Sequence, residues 1–123
     1  MKRIIASPKA PAAVGPYSQA VEVNGTLYIS GQLPINPETG TMPETIEEQT
    51  RQSLENIGAI LKEAGKDFSN VVKTTVLLDN IADFAAMNAV YAEYFTSDKP
   101  ARACFEVAAL PKAAKVEIEA IAV

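Results

Sequence analysis

The sequence contains no histidine, and Cys104 is its only cysteine. These two absences remove the Ser-His-Asp and Cys-His types of nucleophilic site, together with every zinc site built on histidine or cysteine. A metal held by oxygen ligands stays open on this ground, but nothing in the sequence points to one, and we expect no metal. A single cysteine cannot close a disulfide within the chain, which is typical of a reducing compartment, so we expect a cytoplasmic protein.

Long hydrophobic runs and clustered positive charge are also missing. No segment approaches the roughly 20 apolar residues of a membrane span. At the start of the chain only Ile4, Ile5 and Ala6 precede Ser7-Pro8, too few for the apolar region of a signal peptide. The net charge is -4 and the basic residues are scattered, whereas nucleic-acid surfaces cluster Lys and Arg. We therefore expect neither a membrane nor a nucleic acid as a partner.

The composition that is present is that of an ordinary globular domain. Hydrophobic residues make up 48% of the 123 residues and charged residues 21%, which argues against disorder. A chain of this length can bury one core and is too short for two. The prediction is a single domain spanning residues 1–123.

Turn signals and apolar runs indicate most of the strands. Asn24-Gly25 is a strong hairpin turn signal, and it separates the apolar segments Gln19 to Val23 and Thr26 to Ser30. The segment Val71 to Leu78 is β-branched and apolar nearly throughout, as in a central strand covered on both faces. Two final strands are predicted at Arg102 to Val107 and Val116 to Val123.

Apolar residues at helical spacing predict a first helix beyond a proline-rich segment. Its stripe consists of Ile46, Leu54, Ile57, Leu61 and Ala64. Thr41 with Glu44, or Thr45 with Glu48, can form a capping box at its start. Gly65 stands where a helix commonly ends.

A second helix is predicted after Asp79-Asn80, which are plausible caps. Its apolar face consists of Phe84, Met87, Tyr91 and Phe95. Asn88 falls on the same face, where an amide is costly to bury without partners, so it either caps backbone or reaches a binding site.

If Arg3 to Ala6 also forms a strand, the element order is β-β-β-α-β-α-β-β. Two helices and about six strands predict an α+β fold, with both helices on one face of a mixed sheet. Strands such as Val71 to Leu78 are too apolar to leave the other face in water, and no third helix is available to cover it. A second copy of the chain is the simplest cover, so we expect a homo-oligomer.

Arg102 is a permanent cation at the start of a strand that otherwise looks buried. A guanidinium that loses its water without gaining an anionic partner is strongly disfavoured. The partner is either a ligand carboxylate, bound through two parallel hydrogen bonds, or a nearby Glu in a structural ion pair. Strand alternation places two sets of residues on opposite faces: Arg102, Cys104 and Glu106 on one, and Ala103, Phe105 and Val107 toward the helices.

Glu117 and Glu119 share one face of the last strand. Two close carboxylates raise the pKa of one of them, which suits a proton donor or a base that orients water. The alternative is a solvated edge, or salt bridges to Lys112, Lys115 or Arg102.

The other candidate residues carry weaker signals. Cys104 is more readily a small buried hydrophobe than a nucleophile, because no histidine is present to activate it. Tyr17 lies in a loop and Ser30 at a strand end, where binding groups and ordinary turns both occur. Gly31, which has no side chain, can let a ligand approach the backbone.

Seven segments spread along the chain resemble the RidA (YjgF) family of reactive intermediate deaminases. They are GPYSQA at Gly15, SGQLP at Ser30, RQSLENI at Arg51, VVKTTVLL at Val71, FAAMNAVY at Phe84, PARACFEVAALP at Pro100 and VEIEAIAV at Val116. The last two resemble the family's signature, and the resemblance runs the whole chain without an insertion or deletion that displaces a motif.

The resemblance implies a chorismate-mutase-like homotrimer, with the three sheets packed inward, the helices outside and clefts between subunits. It also implies a 2-iminobutanoate/2-iminopropanoate deaminase, which hydrolyses enamines and imines released by pyridoxal-phosphate-dependent dehydratases to 2-keto acids and ammonia. The positions that match the family's site are Tyr17, Ser30, Gly31, Asn88, Arg102, Cys104 and Glu117.

In that interpretation Arg102 binds the substrate carboxylate and Glu117 positions and partly deprotonates a water, so these two are the catalytic residues. Tyr17, from the neighbouring subunit, and Asn88 shape the pocket with Ser30 and Gly31, and Cys104 contributes its carbonyl and small volume. No cofactor is implied, because imines already hydrolyse in water. The alternative is a trimeric 2-keto-acid-binding regulatory or chaperone-like protein without significant turnover.

Overall fold

The computed structural model describes all residues 1–123, and its element order is the one that the sequence predicts. The six strands and two helices, in chain order, are β1 (Arg3–Ile5), β2 (Ala20–Val23), β3 (Thr26–Gln32), α1 (Ile46–Glu63), β4 (Val71–Leu78), α2 (Phe84–Tyr94), β5 (Ala101–Glu106) and β6 (Val116–Ala122). Short 3-10 turns at Phe68–Asn70, Ile81–Asp83 and Pro111–Ala113 join some of them. No helix is long and apolar enough to cross a membrane.

All six strands form one mixed sheet in the order β1-β2-β3-β6-β4-β5. Only β4 and β5 pair in parallel, and the other neighbours are antiparallel. Asn24 and Gly25 both have positive φ angles, 50° and 82°, in the tight turn between β2 and β3. The last strand in the chain, β6, therefore lies in the middle of the sheet, and β5 forms one edge.

Both ends of α1 have the caps that the sequence predicts, and the structure decides between the two residues considered for the N-cap. The Thr45 hydroxyl oxygen accepts a hydrogen bond from the Glu48 backbone N–H at 3.1 Å, so Thr45 rather than Thr41 is the N-cap. Gly65 has a φ of 75° just beyond the helix. The backbone N–H groups of Gly65 and Lys66 donate to the carbonyls of Lys62 and Leu61, which is the Schellman arrangement.

Both helices pack on one face of the sheet, as predicted. The core between the helices and the sheet includes Leu54 and Ile57 from α1, Met87 from α2, and Val76 and Ile118 from the sheet. On the opposite face Tyr28 and Phe105 are 50% and 48% exposed. Nothing in the chain lies over that second face, so the cover expected there for β4 must come from outside the single chain, and it stays a prediction.

The predicted facing of β5 is wrong. The structure turns Arg102 and Cys104 toward α2, whereas Ala103 and Phe105 lie on the open face. The reason is the parallel register with β4, which pairs Thr74 with Arg102 and Val76 with Cys104. Thr74 and Val76 are fully buried beneath the helices, so their partners in β5 share that face. Val107 lies just beyond the end of the strand.

Candidate active site

The candidate site residues form two separate groups in the single chain. The Arg102 group consists of Asn88, Arg102 and Cys104, on the face of the sheet that α2 covers. The Glu117 group consists of Tyr17, Ser30, Gly31 and Glu117, on the open face and the adjoining loop. Glu117 pairs with Leu77 of β4, and Leu77 pairs with Phe105 of β5, so Glu117 and β5 are two strands apart. One chain does not bring Arg102 and Glu117 together.

Arg102 is held by neutral groups. Its Nη1 donates a hydrogen bond to Asn88 Oδ1 at 2.7 Å, and its guanidinium carbon lies 4.8 Å from the Tyr91 ring centre and 5.5 Å from that of Phe84. The ion pairs of the structure are Arg3–Glu22, Arg51–Glu93 and Lys66–Glu22. No carboxylate of its own chain therefore pairs with Arg102, and the structural ion pair considered as the alternative does not form.

Arg102 also borders a cleft of about 390 Å³ at the edge of the sheet. The other lining residues are Asn88, Tyr91, Ala92, Phe95, Lys99 and Pro100. None of these residues is acidic, and the guanidinium keeps N–H donors beyond the one that Asn88 accepts. The cleft is therefore suited to a small anion, and a carboxylate matches the two-pronged donor geometry of arginine.

Cys104 lies on the same face as Arg102 and packs against the hydrophobic core. Burial raises the pKa of its thiol, and the nearby positive charge of Arg102 offsets this only in part. A thiol with a raised pKa is a poor nucleophile at neutral pH, because the thiolate is the reactive form. The structure agrees with the interpretation of Cys104 as a small, largely apolar side chain.

Glu117 is the central group on the other side of the sheet. Burial raises the pKa of its carboxyl group, and the negative charge of Glu119 raises it further. Neither glutamate forms an ion pair with a lysine or arginine of the chain. Glu117 is half-buried and the salt bridges considered for it do not form, so its carboxyl group has the environment of a proton carrier.

Gly31 leaves space that the Glu117 carboxylate fills. The register between β3 and β6 shifts between Ile29 and Gln32, which places Ser30 and Gly31 in a bulge. A Cβ atom at position 31 would collide with the Glu117 carboxylate. The expected open approach to the Gly31 backbone is therefore taken by Glu117 within the chain, and the glycine serves to seat this carboxyl group against β3.

Tyr17 and Ser30 complete this group. Ser30 donates a hydrogen bond from its hydroxyl to the carbonyl of Ser18 at 2.6 Å, which ties β3 to the loop that carries Tyr17. Tyr17 is exposed and borders, with Gly31 and Lys112, a cavity of about 290 Å³. Lys112 is the only charged residue among those lining it.

The sequence reasoning missed Gln19, which fixes the proline-rich loop before Tyr17. Its buried side-chain amide accepts from the backbone N–H of Ser7 at 2.7 Å and donates to the carbonyl of Pro11 at 2.8 Å. A polar amide at the start of an apolar strand was the available signal, because such a group needs partners when it is buried. Helical spacing places Phe84 and Tyr91 on the apolar face of α2, but it gives no sign of their contact with Arg102.

The structure contains no group of three or more Cys, Asp or Glu side chains that could hold a metal ion. The groups that the structure places at the candidate site are an arginine that can bind an anion, a carboxyl group with a raised pKa, and the hydrogen-bonding groups of the surrounding loops.

Comparisons with known proteins identify the family. The family model described as Endoribonuclease L-PSP matches residues 7–123. A goat (Capra hircus) protein named 2-iminobutanoate/2-iminopropanoate deaminase is 60% identical over 124 residues, which cover 100% of this chain and 90% of the goat protein.

Two solved structures superpose closely on the chain. YyfA of the Rid protein family from Yersinia pestis is 52% identical, with a TM-score of 0.97 over 99% of this chain and 98% of that one. TdcF from E. coli, solved with bound serine, is 44% identical, with a TM-score of 0.95 over 98% of each chain. From the family match over most of its length and from these similarities, the chain belongs to the Endoribonuclease L-PSP family, which is the YjgF/RidA family that its motifs resemble.

Proposed function

We propose that the chain is a 2-iminobutanoate/2-iminopropanoate deaminase. The observation that carries this proposal is Arg102, a half-buried cation beside a cleft with no carboxylate of its own chain to pair with it. A 2-imino acid supplies that missing carboxylate. The goat relative, which carries the deaminase name, supports the same substrate class.

The working site is composite in this proposal, with the Arg102 group from one subunit and the Glu117 group from its neighbour. The two groups lie on opposite faces of the sheet in one chain, so a second chain is needed to bring them together. The open face supports such an assembly, because Tyr28, Val72 and Phe105 are large apolar residues exposed on it or at its margin. A homotrimer is the assembly that we propose, with one cleft at each of the three interfaces.

Hydrolysis then needs only orientation and proton transfer. Arg102 binds the carboxylate of the protonated imine and fixes C2 in the cleft. Glu117 accepts a proton from water as the water oxygen bonds to C2, which gives a tetrahedral intermediate bearing a hydroxyl and an amino group. Glu117 returns that proton to the nitrogen, and the C2–N bond then breaks as the C2=O double bond of the ketone forms. The hydroxyl proton passes to Glu117 and from there to the released ammonia. The products are the 2-keto acid and ammonium.

The raised pKa of Glu117 suits both directions of this transfer. A base with an ordinary glutamate pKa would hold the proton weakly at neutral pH, whereas burial and Glu119 strengthen the bond to the proton. The same carboxyl group, when protonated, can donate to C3 of an enamine such as 2-aminoacrylate and convert it to the imine. Cys104 keeps the wall beside Arg102 small, and Tyr17, Ser30, Gly31 and Asn88 shape the pocket.

A protein that binds 2-keto acids without turnover would need the Arg102 group but would not need Glu117. RNA cleavage, which the description of the family model names, finds less support in this chain. The chain has no histidine and a net charge of -4. Phosphate backbones are instead bound by clustered positive charge.

The test couples a serine or threonine dehydratase to this protein and follows the lifetime of the imine and the release of keto acid. We expect faster release with the wild type, and no acceleration with Arg102→Ala. Arg51→Ala is the matched control, because Arg51 lies in an exposed ion pair with Glu93 away from the cleft. If the wild type does not accelerate release but still binds 2-oxobutanoate, the chain is a sensor rather than a deaminase. A sedimentation mass of one subunit would contradict the composite site.

A further inference from the structure

We propose that Phe84 and Tyr91 are positioning residues for Arg102, and that this aromatic pair sets the affinity of the protein for the carboxylate of its substrate. The inference rests on the proposed deaminase function for its kinetic consequences, but the binding of a 2-keto acid tests it independently. It assigns a role to two side chains that would otherwise count only as the apolar stripe of α2.

The first step is the contact itself. The guanidinium carbon of Arg102 lies within 5.5 Å of both ring centres, closer to Tyr91 than to Phe84. A cation at such distances is attracted by the negative face of an aromatic ring. Asn88 accepts one N–H of the same guanidinium at 2.7 Å. Two rings and one amide oxygen therefore fix a long side chain that would otherwise sample many rotamers.

The second step is that Tyr91 is itself fixed. The residue is only 7% exposed, and its hydroxyl shares a hydrogen bond of 2.7 Å with the Thr74 hydroxyl. Thr74 is the residue of β4 that pairs with Arg102 in the sheet. The Tyr91 ring also packs against Phe95, with ring centres 4.6 Å apart. Thr74, the neighbour of Arg102 in the sheet, thus anchors the Tyr91 ring that contacts the Arg102 guanidinium.

The third step concerns Phe84, which begins α2 and is tied to the strand that carries Arg102. The turn before α2 is capped by the Asn80 side chain, which accepts from Ala82 N at 2.9 Å. The backbone N–H of Ile81 donates to the carboxylate of Glu106, at the end of β5, at 2.9 Å. Glu106 therefore holds the start of α2 against the Arg102 strand, which keeps the Phe84 ring beside the guanidinium.

The chemistry explains why rings rather than a carboxylate hold this arginine. A carboxylate would neutralise the charge and occupy the paired N–H donors that a ligand needs. The rings use no N–H donor and carry no net charge, and Asn88 uses one donor of the five. Burial raises the pKa of the Tyr91 hydroxyl, so Tyr91 stays neutral beside the cation. Arg102 is held in place with its charge left free for a ligand.

The experiment compares Phe84→Leu and Tyr91→Leu with the wild type. Leucine keeps apolar bulk and removes the ring face. We expect KM for 2-iminopropanoate and Kd for 2-oxobutanoate to rise about three- to fivefold in each, with kcat changed less than about twofold, because each contact stabilises the bound anion in the ground state and in the transition state alike. Phe84→Tyr, which restores a ring, should return both constants to near the wild-type values.

Phe68→Leu is the matched control, since Phe68 packs against Tyr94 and Phe95 and does not contact Arg102. It should lower Tm without changing KM or Kd. Unchanged KM and Kd in the folded Phe84→Leu and Tyr91→Leu proteins would overturn the proposal, as would an equal rise in Phe68→Leu. If Tyr91→Leu fails to fold, the comparison of Phe84→Leu with Phe84→Tyr still shows whether a ring is needed to position Arg102. If the wild type lacks turnover, the deaminase function fails, and Kd for 2-oxobutanoate alone decides the positioning role.

Discussion

The two charged groups of the candidate site are both half-buried, yet their surroundings act in opposite directions. Around Arg102 the Asn88 oxygen accepts a hydrogen bond from the cation and two aromatic faces attract it, and no carboxylate neutralises its charge. Around Glu117 burial and the charge of Glu119 disfavour the charged form and raise its pKa. An anion receptor must stay ionised, whereas a proton carrier must exchange its proton near neutral pH. The two environments are therefore suited to two different tasks in one reaction.

The largest effect should come from removing the proton carrier. Glu117→Gln keeps the size of the side chain and abolishes its ability to take a proton, so kcat should fall by about 100- to 10,000-fold. Kd for 2-oxobutanoate should change by less than about threefold, because the anion is bound by Arg102. The coupled dehydratase assay and calorimetry measure the two quantities. Imine hydrolysis at the wild-type rate would show that Glu117 is not the base.

The next effect should come from changing the shape of the cation while keeping its charge. Arg102→Lys retains one positive charge but loses the planar pair of donors and the stacking on the Tyr91 ring. We expect kcat/KM to fall by about 10- to 100-fold, mainly through KM, as measured in the same assay. A fall in kcat with KM unchanged would mean that Arg102 acts on the chemical step and not on anion binding.

A smaller effect should follow from disturbing the seat of the carboxyl group. Gly31→Ala places a methyl group where the Glu117 carboxylate lies, so Glu117 must move and kcat should fall by about tenfold. Gly25→Ala is a matched control, because its position in the β2–β3 turn is open but has a φ of 82°. That control should lose about 1 kcal/mol of stability and keep its activity. The opposite pattern in the two variants would contradict the role assigned to Gly31.

The smallest effect should be a shift in the pH profile. Glu119→Gln removes one of the two causes that raise the pKa of Glu117. Since the ionised form of Glu117 takes the proton from water, activity falls as the pH drops through its pKa, which lies above the ordinary value of 4.5. In Glu119→Gln this acid limb should move to lower pH in a profile of kcat/KM. An unmoved limb would mean that the two carboxylates do not interact. A limb moved to higher pH would mean that Glu119 lowers the pKa of Glu117 instead of raising it.

The sequence predicted the elements well because their signals are local. The hairpin at Asn24-Gly25, the stripe of α1 and the apolar run of β4 each depend on residues close together in the chain. The facing of β5 could not be predicted in the same way. Alternation shows that Arg102 and Phe105 lie on opposite faces, but either face has apolar members, and only the register with β4 decides which one meets the helices.

The motifs nominate the candidate site residues one by one, but they do not predict how these residues are arranged. The motifs point to Arg102 and Glu117, yet the separation of these residues onto two faces depends on the registers of β5 and β6 with β4, which no single motif contains. The contact between Gly31 and Glu117 depends on a register shift between β3 and β6, and the Ser30-Gly31 pair gives no sign of that bulge. The contact of Tyr91 with Arg102 also arises from tertiary packing, since helical spacing marks both core residues and site residues alike.

The central place of β6 also governs how the chain folds. Strands β3 and β4 both pair with β6 and not with each other, so without β6 the sheet would be two separate pieces, β1-β2-β3 and β4-β5. Joining them requires contacts between residues far apart in the chain, which slows folding relative to local pairing. Glu117 enters with this strand and meets Gly31 only when β6 pairs with β3, across the longest sequence separation in the sheet. The carboxyl half of the site therefore depends on the most distant strand pairing of the chain.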